Sequence, residues 1–318
     1  MNLRNKFFPV ILCFALFTSQ ASAITLVYNM KIRRQFNAAA SAVLHRDKKS
    51  IFIATAVPII YKRDRHIVDK SLAIDIQEKR LSGGSILNFR YVAPKAWWAE
   101  VTTGIEHESV KVRGTSCFKD SRTGLDDIVL SAGYNMFPTE NSQFVLYGLA
   151  GIPTRRKVTA LEVQDTLVGT RFYSIGAGAE FSYSFINSLK ESLIAILQAR
   201  FIHFFSRNWA PVLPIDAQIQ PGNVTDLLFT LQYRKKKDIF ELGYNPTFFT
   251  DQAVILKTGK IEGPNFVRNS MYLSYARVIP EVPVLKTPML LGAGINIGNS
   301  KRFETKILTF WLNISVIF

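Results

Sequence analysis

The sequence predicts an all-β protein, a transmembrane antiparallel up-and-down β-barrel of about 12 strands. The first observation is the end of the chain, where apolar side chains alternate with a mixed set. One face carries Leu308, Phe310, Leu312, Ile314, Val316 and Phe318, and the other carries Ile307, Thr309, Trp311, Asn313, Ser315 and Ile317. A period of two indicates a β-strand whose faces meet different surroundings.

This last strand ends on an aromatic residue without a polar tail. The ending resembles that of bacterial outer-membrane barrels, in which the final strand closes the barrel. In that group the terminal Phe is the signal read by the barrel-assembly machinery. The resemblance implies that Phe318, with Phe310 on the same face, is an assembly signal and that this end of the chain lies in the periplasm.

The beginning of the chain has the pattern of an export signal. Arg4 and Lys6 precede an apolar run over 7–17, and Ala21-Ser22-Ala23 is a small-residue cleavage site. A membrane helix needs about 20 apolar residues, more than this run offers. Residues 1–23 are therefore predicted to be a removed signal peptide. Residues 24–50 are expected to be a periplasmic arm or a lumen plug, with a short helix or an extra strand left open, and 51–318 the barrel.

Strand-like segments separated by turn signals recur through the rest of the chain. They are predicted near 51–61, 84–92, 96–112, 124–135, 143–152, 171–185, 192–205, 224–234, 239–248, 270–277, 288–298 and 304–318. Connections near 93–95, 136–142, 186–191, 235–238 and 278–287 are shorter than most of those near 62–83, 113–123, 153–170, 206–223, 249–269 and 299–303. Outer-membrane barrels alternate short periplasmic turns with longer outer loops, so the pattern agrees with a periplasmic chain end.

The charge is strongly positive, at +15. The basic runs are Lys31–Arg34, Lys48-Lys49, Lys62–Arg65, Arg155–Lys157 and Lys235–Lys237, and we expect them in turns, loops or the N-terminal arm. They fit solvated strand ends that touch lipid phosphates, or an anion-favouring mouth. No nucleic-acid-binding motif accompanies them, so outer-membrane lipid and lipopolysaccharide are the expected partners.

Polar residues inside strands indicate the face that lines the lumen. The predicted lumen and solute-selecting residues are Arg90, Glu100, Glu180, Gln198, Arg200, Arg234, Glu241 and Asn313. A charge facing lipid near the midplane costs about 2–4 kcal/mol, so these groups are expected to point inward. They either select solutes or pair across the interior. The inward faces, such as Gly176, Gly178 and Ser182, are expected to be small and polar.

Residues 124–185 carry a further resemblance. Gly124-Leu125-Asp126-Asp127 begins one strand, 146–154 ends the next on Pro153-Thr154, and Gly169-Thr170 leads into the strand with Gly176 and Gly178. These segments resemble the outer-membrane transporters associated with the MetA pathway of phenol degradation. Asp126 and Arg155 stand where that family tends to have glycine. The resemblance implies passive uptake of small hydrophobic or aromatic compounds and brings no catalytic residues.

Enzymatic alternatives rest on few residues. His203, with Ser206 and Asn208 nearby, is the candidate set for an outer-membrane lipid hydrolase, although an interfacial His203 among aromatic residues is favoured. Asp126-Asp127 could suggest the paired carboxylates of an aspartyl-type protease, but adjacent strand residues face opposite sides and would not easily share a proton. A strand-entry turn explains the two residues better. No metal cluster, phosphate loop or cofactor site is expected.

The sequence thus predicts a passive channel for small solutes that is not an enzyme. A structural or surface-interaction barrel with a closed lumen is the alternative, and a lipid hydrolase ranks third.

Overall fold

The computed structural model describes residues 50–69, 74–93, 97–113, 118–136, 139, 141–154, 172–188, 190–209, 217–251, 253–256, 259–262, 265–280, 287–300 and 305–318. The predicted signal peptide, nearly all of segment 24–50, and the basic runs Lys31–Arg34, Lys48-Lys49 and Arg155–Lys157 lie outside these ranges.

The described residues form β-strands joined by turns. The first nine strands are β1 (Ile51–Asp69), β2 (Ile74–Val92), β3 (Trp97–Arg113), β4 (Phe118–Leu125), β5 (Ile128–Asn135), β6 (Ser142–Ile152), β7 (Ser174–Asn187), β8 (Glu191–Phe204) and β9 (Arg207–Trp209). The others are β10 (Ala217–Gln220), β11 (Asn223–Lys235), β12 (Asp238–Thr250), β13 (Ala253–Leu256), β14 (Gly259–Glu262), β15 (Phe266–Ile279), β16 (Met289–Ser300) and β17 (Thr305–Ile317). Within these ranges no helix is long and apolar enough to cross a membrane.

The main sheet closes on itself. Its hydrogen-bonded order is β2-β1-β17-β16-β15-β12-β11-β8-β7-β6-β5-β3-β4, and β2 also pairs with β3. The first and last strands meet antiparallel, with Ile53 opposite Ile317 and Tyr61 opposite Thr309. Because β4 and β5 pair with successive parts of β3, they are two halves of one barrel strand. The fold is therefore a closed antiparallel barrel of 12 strands, as predicted.

A β-bulge separates β4 from β5. Thr102 pairs with Val129 and Ile105 with Leu125, so two residues of β3 oppose three residues between these pairs. The extra residue breaks the alternation of sides, and Asp126 and Asp127 are both buried. Both residues lie directly before β5 and so stand at a strand entry, but the expectation that their side chains face opposite sides is wrong.

Several strands extend beyond the part of the barrel that is apolar on the outside. β1 and β2 pair continuously from Ile51 with Val92 to Asp69 with Ile74, so most of the predicted connection 62–83 is strand. Lys62–Arg65 accordingly lies in β1 rather than in a loop. The predicted connections 113–123, 206–223 and 249–269 likewise contain strand, and β14, β13, β10 and β9 form a second, four-stranded sheet. We call this side the loop end and the side of Ile51 and Phe318 the terminal end.

The outward face forms an apolar belt. Along β1 the outward side chains are Phe52, Ala54, Ala56, Pro58 and Ile60, after which Lys62 and Asp64 take the same face and pair at 3.2 Å. At the terminal end the rings of Phe52, Tyr91 and Trp97 are in contact, with centroids 5.5 and 5.6 Å apart. Phe318 and Phe310 also point outward and are exposed. A belt bounded by aromatic rings and charges is the surface that a bilayer requires.

The inward face is bulkier than the sequence predicted. A cluster of buried apolar side chains, here called the apolar cluster, comprises Ile51, Ile53, Val57, Ile86, Leu228, Ile239, Tyr272, Ala276, Leu290, Trp311 and Ile317. Six of them belong to β1, β16 and β17, and the inward face of β17 also carries polar residues such as Thr309, Asn313 and Ser315. Large apolar side chains therefore occupy part of the inward face.

Candidate functional site in the barrel interior

The predicted lumen residues lie on the inward face. Arg90, Glu100, Gln198, Arg200, Glu241 and Asn313 are buried to 4% exposure or less. Glu180 and Arg234 share the inward phase but are only partly buried. The structure distributes these residues around the barrel instead of gathering them into one centre. Whether they select solutes is taken up below as a proposal.

Inward polar side chains of β2 and β3 line one side of the interior. This set, here called the polar wall, comprises Glu78, Arg80, Asn88, Arg90, Glu100, Thr102 and Glu108. Towards the terminal end the Arg90 guanidinium lies over the Trp98 ring, 4.3 Å from its centroid. The Asn88 Nδ2 donates to Thr102 Oγ1 at 2.8 Å. The Ser131 hydroxyl, from β5, donates to Glu100 Oε1 at 3.3 Å. Neighbouring strands therefore supply the partners that buried polar groups need.

Polar groups also line the opposite side of the interior. Arg200 Nη2 of β8 lies 2.6 Å from Asp226 Oδ2 of β11, and the Thr247 hydroxyl of β12 donates to the other oxygen of Asp226 at 2.7 Å. Gln198 Nε2 donates to the Tyr147 hydroxyl at 2.8 Å. A guanidinium paired with a carboxylate that accepts a further hydrogen bond is the arrangement in which a buried charge is tolerated.

Glu241 sits between two donors on adjacent strands. Gln232 Nε2 donates to Glu241 Oε1 at 2.6 Å, and the Ser274 hydroxyl donates to Oε2 at 3.0 Å. Asn313 accepts from the Ser315 hydroxyl at 2.9 Å. These contacts fix side chains in place, so the lining is ordered.

The loop end of the polar wall contains an ionic cluster that the sequence analysis missed. Arg63 pairs with Glu78, Arg80 Nε lies 3.3 Å from Glu78 Oε1, and Arg80 Nη1 lies 2.5 Å from Glu108 Oε1. The sequence does contain the pattern that predicts this cluster, because Arg63 and Arg65, like Glu78 and Arg80, are charged residues two positions apart on one strand face. The run 62–65 was predicted to be a loop because both faces of β1 carry charged residues there.

The ionic cluster lies beyond the apolar belt, and the charges there change the pKa values of Glu78 and Arg65. Burial alone raises the pKa of Glu78, but the charges of Arg63, Arg80 and Arg65 outweigh burial and lower that pKa to about 2. Burial, reinforced by the charge of Arg63, lowers the pKa of the Arg65 guanidinium. Glu78 is thus the carboxylate that holds the guanidinium groups of this cluster together.

His203 is the central residue of the candidate hydrolase set, in which the side chain of Asn208 lies outside the described part of the chain. It points outward, its Nδ1 lies 2.8 Å from Asn223 Oδ1, and its ring packs edge-on against Phe205. Asn223 Nδ2 in turn donates to Asp251 Oδ2 at 2.5 Å. Ser206 follows β8 with its side chain exposed. His203 thus contacts the amide group of Asn223 and an aromatic ring, which fits the favoured interpretation of an interfacial residue.

Asp126 and Asp127 enter the interior side by side at the bulge. The backbone amide of Asp127 donates to Asp126 Oδ1 at 2.8 Å, and the amide of Asp126 donates to the Gly104 carbonyl at 2.8 Å. One oxygen of the Asp126 carboxylate thus accepts a hydrogen bond that stabilises the bulge itself. Among the described residues, no group of three or more His, Cys, Asp or Glu side chains is arranged to hold a metal ion.

Comparison with known proteins shows that this chain is similar to solved structures in its fold. No protein-family model and no curated protein matches the sequence. Among solved structures, an outer membrane channel from Pseudomonas putida F1 superposes with a TM-score of 0.56 at 10% identity, covering 85% of this chain and 96% of that one. The transport unit of the autotransporter AIDA-I from Escherichia coli superposes with a TM-score of 0.53 at 8% identity, covering 85% and 91%. At these identities the likeness concerns the barrel architecture.

Proposed function

We propose that this protein is an outer-membrane channel for the passive diffusion of small solutes. The observation that carries the proposal is the two-sided lining of the interior, with buried charged and polar groups beside the apolar cluster. The barrel shares its architecture with an outer membrane channel. Small hydrophobic or aromatic compounds that bear a polar group would match both parts of this lining.

The polar lining is costly to maintain. Replacing a buried ion pair with well-packed apolar residues is often neutral or stabilising by about 1–4 kcal/mol. A barrel selected only for stability has no need of pairs such as Arg200 with Asp226 along its interior. Solutes that pass through would explain both these pairs and the contacts of polar groups with aromatic rings, as of Arg90 with Trp98 and of Gln198 with Tyr147.

Single-channel recording in planar bilayers tests the proposal. The refolded full chain is expected to give discrete conductance steps, and vesicles containing it should admit small aromatic compounds faster than protein-free vesicles. A heat-modifiable, correctly folded barrel that neither conducts nor speeds uptake would overturn the channel proposal.

Glu180 allows the lining to be tested directly, because it is the inward carboxylate of the predicted set that is only partly buried. Glu180→Lys is expected to move the reversal potential in a salt gradient towards anion preference. The matched control is Glu262→Lys, which makes the same charge change at a residue of the second sheet that is 76% exposed. Equal shifts in both variants would assign the effect to overall charge instead of the lumen.

A barrel with a closed lumen is the second candidate, favoured by the depth of burial of large inward side chains. Arg63, Arg200, Tyr272, Phe204 and Leu228 are among the largest side chains that are fully buried. Such a barrel would have a structural or surface-interaction role. The conductance experiment separates the two candidates, since a closed barrel gives no steps and no uptake.

We also propose that the protein lacks hydrolase activity. The support is the pairing of His203 with Asn223 on the outward face. Hydrolysis of phospholipid by the folded protein that disappears in His203→Ala would overturn this point and revive the hydrolase alternative.

The location follows from the same proposal. An outer-membrane barrel with its terminal end in the periplasm would use Phe318, with Phe310, in assembly. Both side chains point outward, where an assembly factor can reach them. Deleting Phe318 is expected to lower the amount of heat-modifiable barrel in the outer membrane, and unchanged levels would contradict this role.

A further inference from the structure

The outer surface of the barrel carries an apolar groove over β7, β8, β11 and β12. Its volume is about 620 Å³, and its lining includes Phe181, Tyr183, Ala195, Leu231 and Leu242. Tyr183, Ala195, Leu231 and Leu242 form one row across four neighbouring strands. Ala195 is the small member of this row, so the surface sinks there between larger side chains.

Exposed basic side chains lie at the terminal end of these strands and of the adjacent β15. This basic rim consists of Lys190, Lys235, Lys236, Lys237 and Arg277. Backbone hydrogen bonds bring its turns together: the amide of Lys236 donates to the Lys190 carbonyl at 2.6 Å, and the amide of Val278 donates to the Lys237 carbonyl at 2.8 Å. The lysines are therefore held beside one another by the barrel.

The acidic residues at this rim already have partners. The Tyr233 hydroxyl donates to Glu191 Oε1 at 2.5 Å, and the Tyr275 hydroxyl donates to Asp238 Oδ1 at 2.6 Å. Asp238 also lies 3.8 Å from Arg277 Nε. Two acids against five cations leave the described part of the rim with an excess of positive charge.

The lysine turn keeps an unfavourable backbone conformation. Lys235 pairs with Asp238, which leaves Lys236 and Lys237 as a two-residue turn, and Lys236 has φ of 57°. That region favours glycine, asparagine or aspartate at hairpin turns. A lysine held there indicates that its side chain has a use at this place.

The groove lies within the reach of one acyl chain from the rim. Leu231 in the groove and Lys235 at the rim are four strand residues apart, about 13 Å along β11. Half the hydrocarbon thickness of a bilayer is about 15 Å. A phospholipid whose phosphate meets the rim can therefore lay an acyl chain in the groove.

We propose that this surface is a binding site for an anionic phospholipid of the phosphatidylglycerol type. The acyl chain packs over Ala195 between Tyr183 and Leu231, and the phosphate meets Lys236 and its neighbours. The site lies outside the lumen and does not depend on channel activity. It does require that the terminal end face a leaflet that contains phospholipid.

Native mass spectrometry of the full chain, refolded and delipidated in detergent, tests the site. Titration with phosphatidylglycerol is expected to give a bound adduct at least about fivefold tighter than titration with phosphatidylcholine, since one lysine near a lipid surface contributes about that factor. Equal affinity for the two lipids would overturn the proposal. Tighter binding of lipopolysaccharide than of phosphatidylglycerol would replace it with a site for the outer leaflet.

Two variants separate lipid binding from folding. Lys236→Gly removes one charge and relieves the turn, so it should lower phosphatidylglycerol affinity about fivefold while its unfolding midpoint stays the same or rises. Ala195→Phe fills the groove and should weaken binding of both lipids, with heat-modifiability confirming the fold. The control Lys260→Ala removes a lysine of the second sheet and should change neither affinity. Unchanged phosphatidylglycerol affinity in Lys236→Gly would contradict the role of the rim.

Discussion

The polar wall of β2 and β3 and the apolar cluster around β1, β16 and β17 meet in the same interior but are stabilised differently. In the polar wall each guanidinium or carboxylate depends on a particular partner, such as Glu78 between Arg63 and Arg80. In the apolar cluster Ile53, Leu290 and Trp311 depend on contact and volume. β1 contributes to the apolar cluster with Ile51, Ile53 and Val57, and further along it contacts the polar wall through Arg63, which pairs with Glu78.

The difference shows how a single closed sheet divides its interior. Apolar side chains concentrate in the part of β1 whose outward neighbours face lipid, and the ionic cluster lies where the outward neighbours Lys62 and Asp64 face water. Disturbing the first should have an effect that is independent of pH. Disturbing the second should have an effect that pH can remove.

The largest effect is expected from Trp311→Ala in the apolar cluster. The Trp311 ring covers Gly294, where an added Cβ would lie 2.2 Å from ring atom Cζ2, and it lies 6.3 Å from the Tyr272 ring. Removing it leaves a cavity that costs about 3–5 kcal/mol. Urea unfolding of the refolded barrel should show this loss equally at pH 7 and pH 3. A loss confined to one pH would contradict simple packing.

Glu78→Gln should have a comparable but pH-dependent effect in the polar wall. Since the pKa of Glu78 is lowered from 4.5 to about 2, its stabilisation is present above about pH 4.5 and is lost as pH falls towards 2. The shift corresponds to roughly 3 kcal/mol at neutral pH. The free energy of unfolding of variant and wild type should therefore converge on acidification. A difference that persists at pH 2 would show that the carboxylate acts through shape instead of charge.

The smallest effect is expected from Tyr272→Phe. Tyr272 contacts both an aromatic ring of the apolar cluster and a polar side chain. Its ring packs with Trp311 while its hydroxyl lies 2.7 Å from Thr230 Oγ1. Tyr272→Phe keeps the ring and removes one hydrogen bond, so the free energy of unfolding should fall by about 1 kcal/mol. Tyr272→Ala, measured alongside, should cost several times more because the ring is lost. Similar losses in both variants would place the contribution of Tyr272 in its hydroxyl.

Strands with one wet and one apolar face were predictable from local pattern. β7 shows this best, since Tyr173, Ile175, Phe181 and Phe185 beside it or within it are exposed, as their phase predicted. The extensions of β1 and β2 were not predictable in this way. Lys62–Arg65 and Glu78–Arg80 are runs of consecutive charged residues, a pattern typical of a loop. Only the ion pairs between β1 and β2 explain how such runs can form strands.

The sequence by itself determined the barrel class, the inward phase of residues such as Arg200 and Glu241, and the outward position of Phe318. These follow from a period of two and from the cost of exposing charge to lipid. The tertiary structure decided which residues meet: Glu78 with Arg63, both aspartates of the bulge with the interior, and the lysine turn with Lys190. Such contacts depend on register and closure, which bring together side chains far apart in the chain and which no local pattern records.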